Sequence, residues 1–88
     1  IAQNVVASTG RATIYPNPTL AESVLKLPVN HNFKGVEVVD VNGRRLLKKE
    51  LDEKILEVSL NEDFWLSGTY IVHLLNEDEV VYLKLIVQ

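Results

Sequence analysis

Cysteine is absent from the 88 residues, so no disulfide reinforces the fold. Because oxidising compartments do not require one, its absence leaves the redox compartment open. No apolar run approaches the roughly 20 residues of a membrane span. The first ten residues also lack the basic-then-apolar order of a secretory signal peptide. The chain therefore reads as soluble, with no direct membrane insertion. Positive charge is scarce as well: a net charge of -3 and a pI near 5.3 argue against nucleic acid and against an anionic membrane surface. What is present is 47% hydrophobic and 24% charged residues, a globular balance. A chain this short supports one core, buries only about 60% to 65% of its unfolded surface, and has a thin stability margin.

Val, Ile, Thr and Tyr recur in runs of five to eight, each closed by Asn, Gly, Asp or Pro, which is a strand rhythm. Residues 1–12 read as a flexible linker entering the domain, around the small polar stretch Ala7, Ser8, Thr9 and Gly10. A short strand over residues 12–15 stops at Pro16-Asn17-Pro18, where two prolines deny ladder donors and turn the chain. Residues 22–29 form a second strand with Leu25, Leu27 and Val29 on one face. Residues 36–41 and 44–51 meet across Asn42-Gly43, expected as a type I′ turn with two positive φ angles. Residues 55–60 alternate with Leu56, Val58 and Leu60 inward. The stretch 61–67 breaks the alternation and is expected to carry Phe64, Trp65 and Leu66 over one end of the core on a single helical or 3₁₀ turn. Residues 69–75 and 79–87 make a last hairpin, with Val81, Leu83, Leu85 and Val87 on one face. About seven short antiparallel strands with turns every ten residues give an all-β, immunoglobulin-like sandwich.

The residues that carry chemistry are sparse. His31 and His73 have no Cys, His or carboxylate at ligand spacing, which leaves no metal and no cofactor. No serine lies in a nucleophile elbow, so catalysis is not expected. The acidic turns at Asp52-Glu53 and Glu77-Asp78-Glu79 lack the carboxylate and glycine spacing of a calcium loop and read as solvated hairpin ends. Asn17-Pro18-Thr19 is barred from glycosylation by its central proline. Phe64 and Trp65 read as a core plug in preference to a carbohydrate platform.

Four segments in order make the sequence specific: Ile14-Tyr15-Pro16-Asn17-Pro18, Val38-Val39-Asp40-Val41-Asn42-Gly43-Arg44, Leu66-Ser67-Gly68-Thr69-Tyr70-Ile71-Val72 and Lys84-Leu85-Ile86-Val87. Together, over residues 13–88, they resemble a type A C-terminal sorting domain of the type IX (Por) secretion system of Bacteroidetes. Each also has a structural reading: Pro16, Asn17 and Pro18 as a rigid corner, Asn42 and Gly43 as a hairpin turn, Tyr70 as a sandwich-locking tyrosine corner, and Lys84 to Val87 as the end of the last strand with Lys84 as an edge charge against aggregation.

The resemblance implies a transport signal on a longer cargo, a substrate and not an enzyme. It passes through the periplasm and ends at the outer-membrane surface or outside the cell. Its partners would be the type IX translocon and shuttle proteins, reading Gly68, Tyr70, Lys84, Leu85, Ile86, Val87 and Gln88. A sortase-like cysteine peptidase would then cut near Ala7, Ser8, Thr9 and Gly10 and attach the cargo to an anionic lipopolysaccharide. Many family members end on a basic residue, whereas this chain ends on Gln88 and keeps only Lys84. The competing reading is a generic adhesion or carbohydrate-binding module. A homodimer through the last, edge-forming strand is a further expectation.

Overall fold

Side chains alternate between the two faces of a strand, so a segment with one apolar face must bury that face against a second sheet. The computed structural model describes residues 12–20, 22–61, 66–77 and 80–88 and contains seven strands. These are β1 (Thr13–Tyr15), β2 (Glu22–Lys26), β3 (Gly35–Val39), β4 (Arg45–Glu50), β5 (Glu57–Asn61), β6 (Gly68–Leu75) and β7 (Val80–Val87). All strand pairings are antiparallel, in a three-stranded sheet β1-β2-β5 and a four-stranded sheet β4-β3-β6-β7. The order is that of an immunoglobulin-like sandwich in which the fourth strand lies beside β3 instead of joining the sheet of β1, β2 and β5.

The core is the interdigitated pair of inner faces. Leu25, Val58 and Leu60 from one sheet meet Val36, Val38, Val72, Leu74, Val81, Leu85 and Val87 from the other. Ala12 is buried with them. Each fully buried aliphatic side chain contributes about 1.5–3 kcal/mol, the main offset to the entropy of ordering a short chain. The outer strand β4 buries little: Leu46 and Leu47 are half-buried and Lys48, Lys49 and Glu50 face solvent, so charge guards that edge of the sheet.

Several expectations change. The second strand ends at Lys26, and Val29 is 72% exposed because the chain turns at Pro28, whose carbonyl accepts from the His31 N–H while Asn30 takes a φ of 69°. Leu56 is not an inward residue: β5 starts at Glu57, and the Leu56 carbonyl accepts from the Leu27 N–H just beyond the ladder. Leu66 is 75% exposed and caps no core; Phe64 and Trp65, like residues 1–11 of the expected linker over 1–12, lie outside the described residues. His31 is buried and structural. Its Nδ1 accepts from the Phe33 N–H at 3.1 Å, so Nε2 carries the proton and donates to the Ile55 carbonyl at 2.8 Å, tying two loops together.

The Asn42-Gly43 hairpin forms, but not as a type I′ turn. Only Gly43 has positive φ, at 83°, and the Gly43 N–H donates to the Asp40 carbonyl, which closes a one-glycine turn with a bulge in the β3–β4 register. Asp40 explains the choice. Its Oδ1 accepts from the N–H groups of Asn42 and Arg44, both at 2.9 Å, so the carboxylate organises the loop in place of a second positive φ. The Arg44 N–H in the first place, helped by the Asn42 N–H and the Arg44 guanidinium, holds the Asp40 carboxyl below its ordinary value of 3.8. A carboxyl whose pKa is lower folded than unfolded stabilises the fold above its ordinary pKa and loses that contribution as pH falls through the folded value. Asp40→Ala should therefore melt below the parent at about pH 6, and the gap should narrow below about pH 4. In the core, Leu60→Ala should cost about 2–5 kcal/mol in urea unfolding.

Candidate functional site

The last strand sits at the edge of its sheet, paired on one side with β6 from Gly68 opposite Val87 to Leu75 opposite Val80. A strand in that position presents a row of backbone N–H and C=O groups on its outer side, each needing water or a partner. Near its C-terminal end the partner is the Pro16-Asn17-Pro18 corner. The Asn17 side chain stands in for a strand backbone: its Nδ2 donates to the Lys84 carbonyl at 2.6 Å, and its Oδ1 accepts from the Ile86 N–H at 3.0 Å. Two residues on, the Thr19 N–H donates to the Ile86 carbonyl and the Gln88 N–H donates to the Thr19 carbonyl, both at 2.8 Å, which makes a single parallel bridge between Thr19 and Val87.

The corner is held from behind. Ser23, an inward residue of β2, donates its hydroxyl to the Pro16 carbonyl, and the Thr19 hydroxyl donates to the Glu22 carbonyl at 2.6 Å. Ser23 and Thr19 are buried, and burying a hydroxyl costs free energy unless it is bonded, so both are committed to this geometry. Both prolines follow cis peptide bonds. Neither proline has an N–H to contribute, which leaves the Asn17 amide and the Thr19 backbone as the corner's means of reaching β7. Outward, the same corner shows apolar surface: Tyr15 is 75% and Leu20 80% exposed, beside exposed Pro16 and Pro18.

The residues singled out from sequence divide into two sets. Tyr70, Leu85 and Val87 are core side chains. The Tyr70 hydroxyl donates to the Leu66 carbonyl at 2.5 Å, the expected tyrosine corner. Gly68 opens β6 with a φ of 152°, a backbone state side chains disfavour, so its role is conformational. Lys84, half-buried Ile86 and Gln88 are what the outer surface shows. Ala7, Ser8, Thr9 and Gly10 lie outside the described residues. Sequence reasoning missed Thr19 and Ser23. The signal for Ser23 was a hydroxyl at an inward position of an otherwise apolar alternation, which asks for a buried partner. Among the described residues no three His, Cys, Asp or Glu side chains gather into a metal site.

The corner and the closing strand are thus one assembly, joining the first and last of the four sequence segments. The family model described as Secretion system C-terminal sorting domain matches residues 13–88. The chain belongs to this family. No curated protein matches it. The domain is a C-terminal sorting signal for type IX secretion; it engages that machinery and directs export across the outer membrane to the cell surface or beyond. The matched span, 13–88, takes in the corner, the hairpin and the closing strand of this sorting domain. Asn17→Ala should expose the Ile86 amide to exchange while leaving the Val72 amide, in the middle of β6, protected. It should cost about 1 kcal/mol of stability, as for one or two exposed hydrogen bonds. Amide hydrogen exchange with a parallel urea titration measures both.

Proposed function

We propose that the type IX machinery reads this domain folded, as a type A sorting signal. The translocon and its shuttle proteins would meet it at the closing strand and the corner that holds it. The carrying observation is that Lys84, Ile86 and Gln88 are linked by hydrogen bonds to Asn17 and Thr19, almost seventy residues away in sequence. An unfolded chain cannot present these groups together, because only the sandwich brings the corner to the strand. That supports recognition of shape over recognition of a linear peptide. In transit the domain would cross the periplasm. A sortase-like cysteine peptidase would then cut in the stretch that holds Ala7, Ser8, Thr9 and Gly10, freeing the cargo for attachment to an anionic lipopolysaccharide. The sorting domain acts in this scheme as substrate, and the family match does not favour the adhesion or carbohydrate-binding alternative.

A passenger protein fused to residues 1–88 should reach the surface of a type IX-competent strain and accumulate in the periplasm of a secretion mutant. Removing the last five residues deletes Lys84 and Ile86 and the strand's contact with the corner, and should hold the passenger in the periplasm. Normal export of the truncated fusion would refute the reading.

A further inference from the structure

The outer edge of β7 is divided. Consecutive residues of a strand direct their backbone groups to opposite sides, and the Lys84 carbonyl, the Ile86 N–H and the Ile86 carbonyl all point to the corner. Val80, Tyr82 and Lys84 share the parity of Ile86, so their N–H groups, and the carbonyls of Val80 and Tyr82, face the same way. The corner ends at the Lys84 carbonyl, and β7 is the last strand of its sheet, so no described strand covers these groups. Val80 to Leu83 carries no charged side chain. Tyr82, 39% exposed, packs edge-on against His73 across the ladder with ring centroids 4.8 Å apart, and Val80 is half-buried. Lys84 closes it as an exposed cation that forms no ion pair with any described carboxylate. The opposite edge of the same sheet, β4, carries Arg45, Lys48 and Lys49 instead, of which Arg45 and Lys48 pair with Glu37.

We propose that the open half of this edge, Val80 to Lys84, is a strand-addition site that takes a short extended segment of a protein of the secretion machinery, with an acidic residue facing Lys84. This rests on the sorting reading and specifies its contact. Three features fix the occupant's chemistry. The free groups are backbone donors and acceptors at strand spacing, which only an extended polypeptide matches in register. The corner blocks the edge beyond Lys84, so the added strand is limited to about five residues, on the order of 17 Å. The Lys84 ammonium, which pairs with no described carboxylate, gives the segment its charge. The Pro16-Asn17-Pro18 corner then has a second role: it closes half of an apolar edge that would otherwise pair along its whole length with any available strand.

The Tyr82 N–H points outward, so Tyr82→Pro removes a donor the β6–β7 ladder does not use, and Val80→Pro does the same at the first residue of the strand, where proline is tolerated. Tyr82→Thr keeps the N–H and removes the ring. In the passenger fusion, with folding of each isolated variant checked by thermal melting, the proline variant that melts like the parent should lower surface delivery about tenfold, the equivalent of one or two backbone hydrogen bonds. Tyr82→Thr should export normally, and Lys84→Glu should reduce export.

Parent-level export of a folded proline variant would overturn the proposal. Equal loss in Tyr82→Thr would overturn it too, by assigning recognition to the ring. So would a concentration-dependent dimer in light scattering that Tyr82→Pro dissolves without affecting export, because the edge would then serve self-association. Normal export of Lys84→Glu would overturn the acidic assignment. Failure of the unsubstituted fusion to be exported at all would count against the sorting reading itself, and is distinguished by that control.

Discussion

A strand at the margin of a sheet carries polar backbone groups that must find partners, and in this protein that requirement falls on its most apolar strand. β7 buries Val81, Leu85 and Val87 on its inner side and has Lys84 as its one basic residue, so it lacks the charges that guard β4. Its protection comes from the Asn17 amide and the Thr19 backbone, which complete the ladder over the strand's final residues. Ser23 and Thr19, two of the buried polar side chains in the described structure, are used to brace that arrangement. The N-terminal corner and the C-terminal strand therefore stabilise each other. Either one alone would present unpartnered backbone.

On the proposed reading, this dependence makes the sorting signal both a stable domain and a readable surface. Inner side chains of the terminal segment, Leu85 and Val87, anchor the sandwich, while Lys84, Ile86 and Gln88 lie toward the outside. Alternation along one strand thus separates folding from display at intervals of a single residue. The Tyr70 hydroxyl and the constrained Gly68 fix the neighbouring strand on which β7 is registered, so their place in the motif concerns the fold. A transporter that reads such a surface receives a test of folding together with the address, since the display exists only once both sheets have closed.

Much of the architecture was legible because two signals are local. Period-two alternation in residues 80–87 and 69–75 placed the last hairpin, and Gly43 marked the β3–β4 turn. The details failed where a side chain or a chain reversal outweighed the local preference. Asp40 supplied enough hydrogen bonds to build a turn with one positive φ instead of two. Pro28 turned the chain before Val29 could point inward, and β5 began at Glu57, two residues after the expected start at Ile55, which left Leu56 outside the ladder. Pro16-Asn17-Pro18 was recognisable as a corner, but what Asn17 bonds to depends on a strand nearly seventy residues distant, and no periodicity encodes that.

The sequence by itself determined the all-β class, the strand count, the inward set of the closing strand and the family, because alternation, turn residues and ordered motifs are written in neighbouring positions. The pairing of Asn17 and Thr19 with residues 84–88 was decided only when the two sheets packed. So was the division of the final edge into a covered and an open half. The physical reason is that backbone groups are alike in every residue: which of them remain free depends on what the folded chain lays beside them.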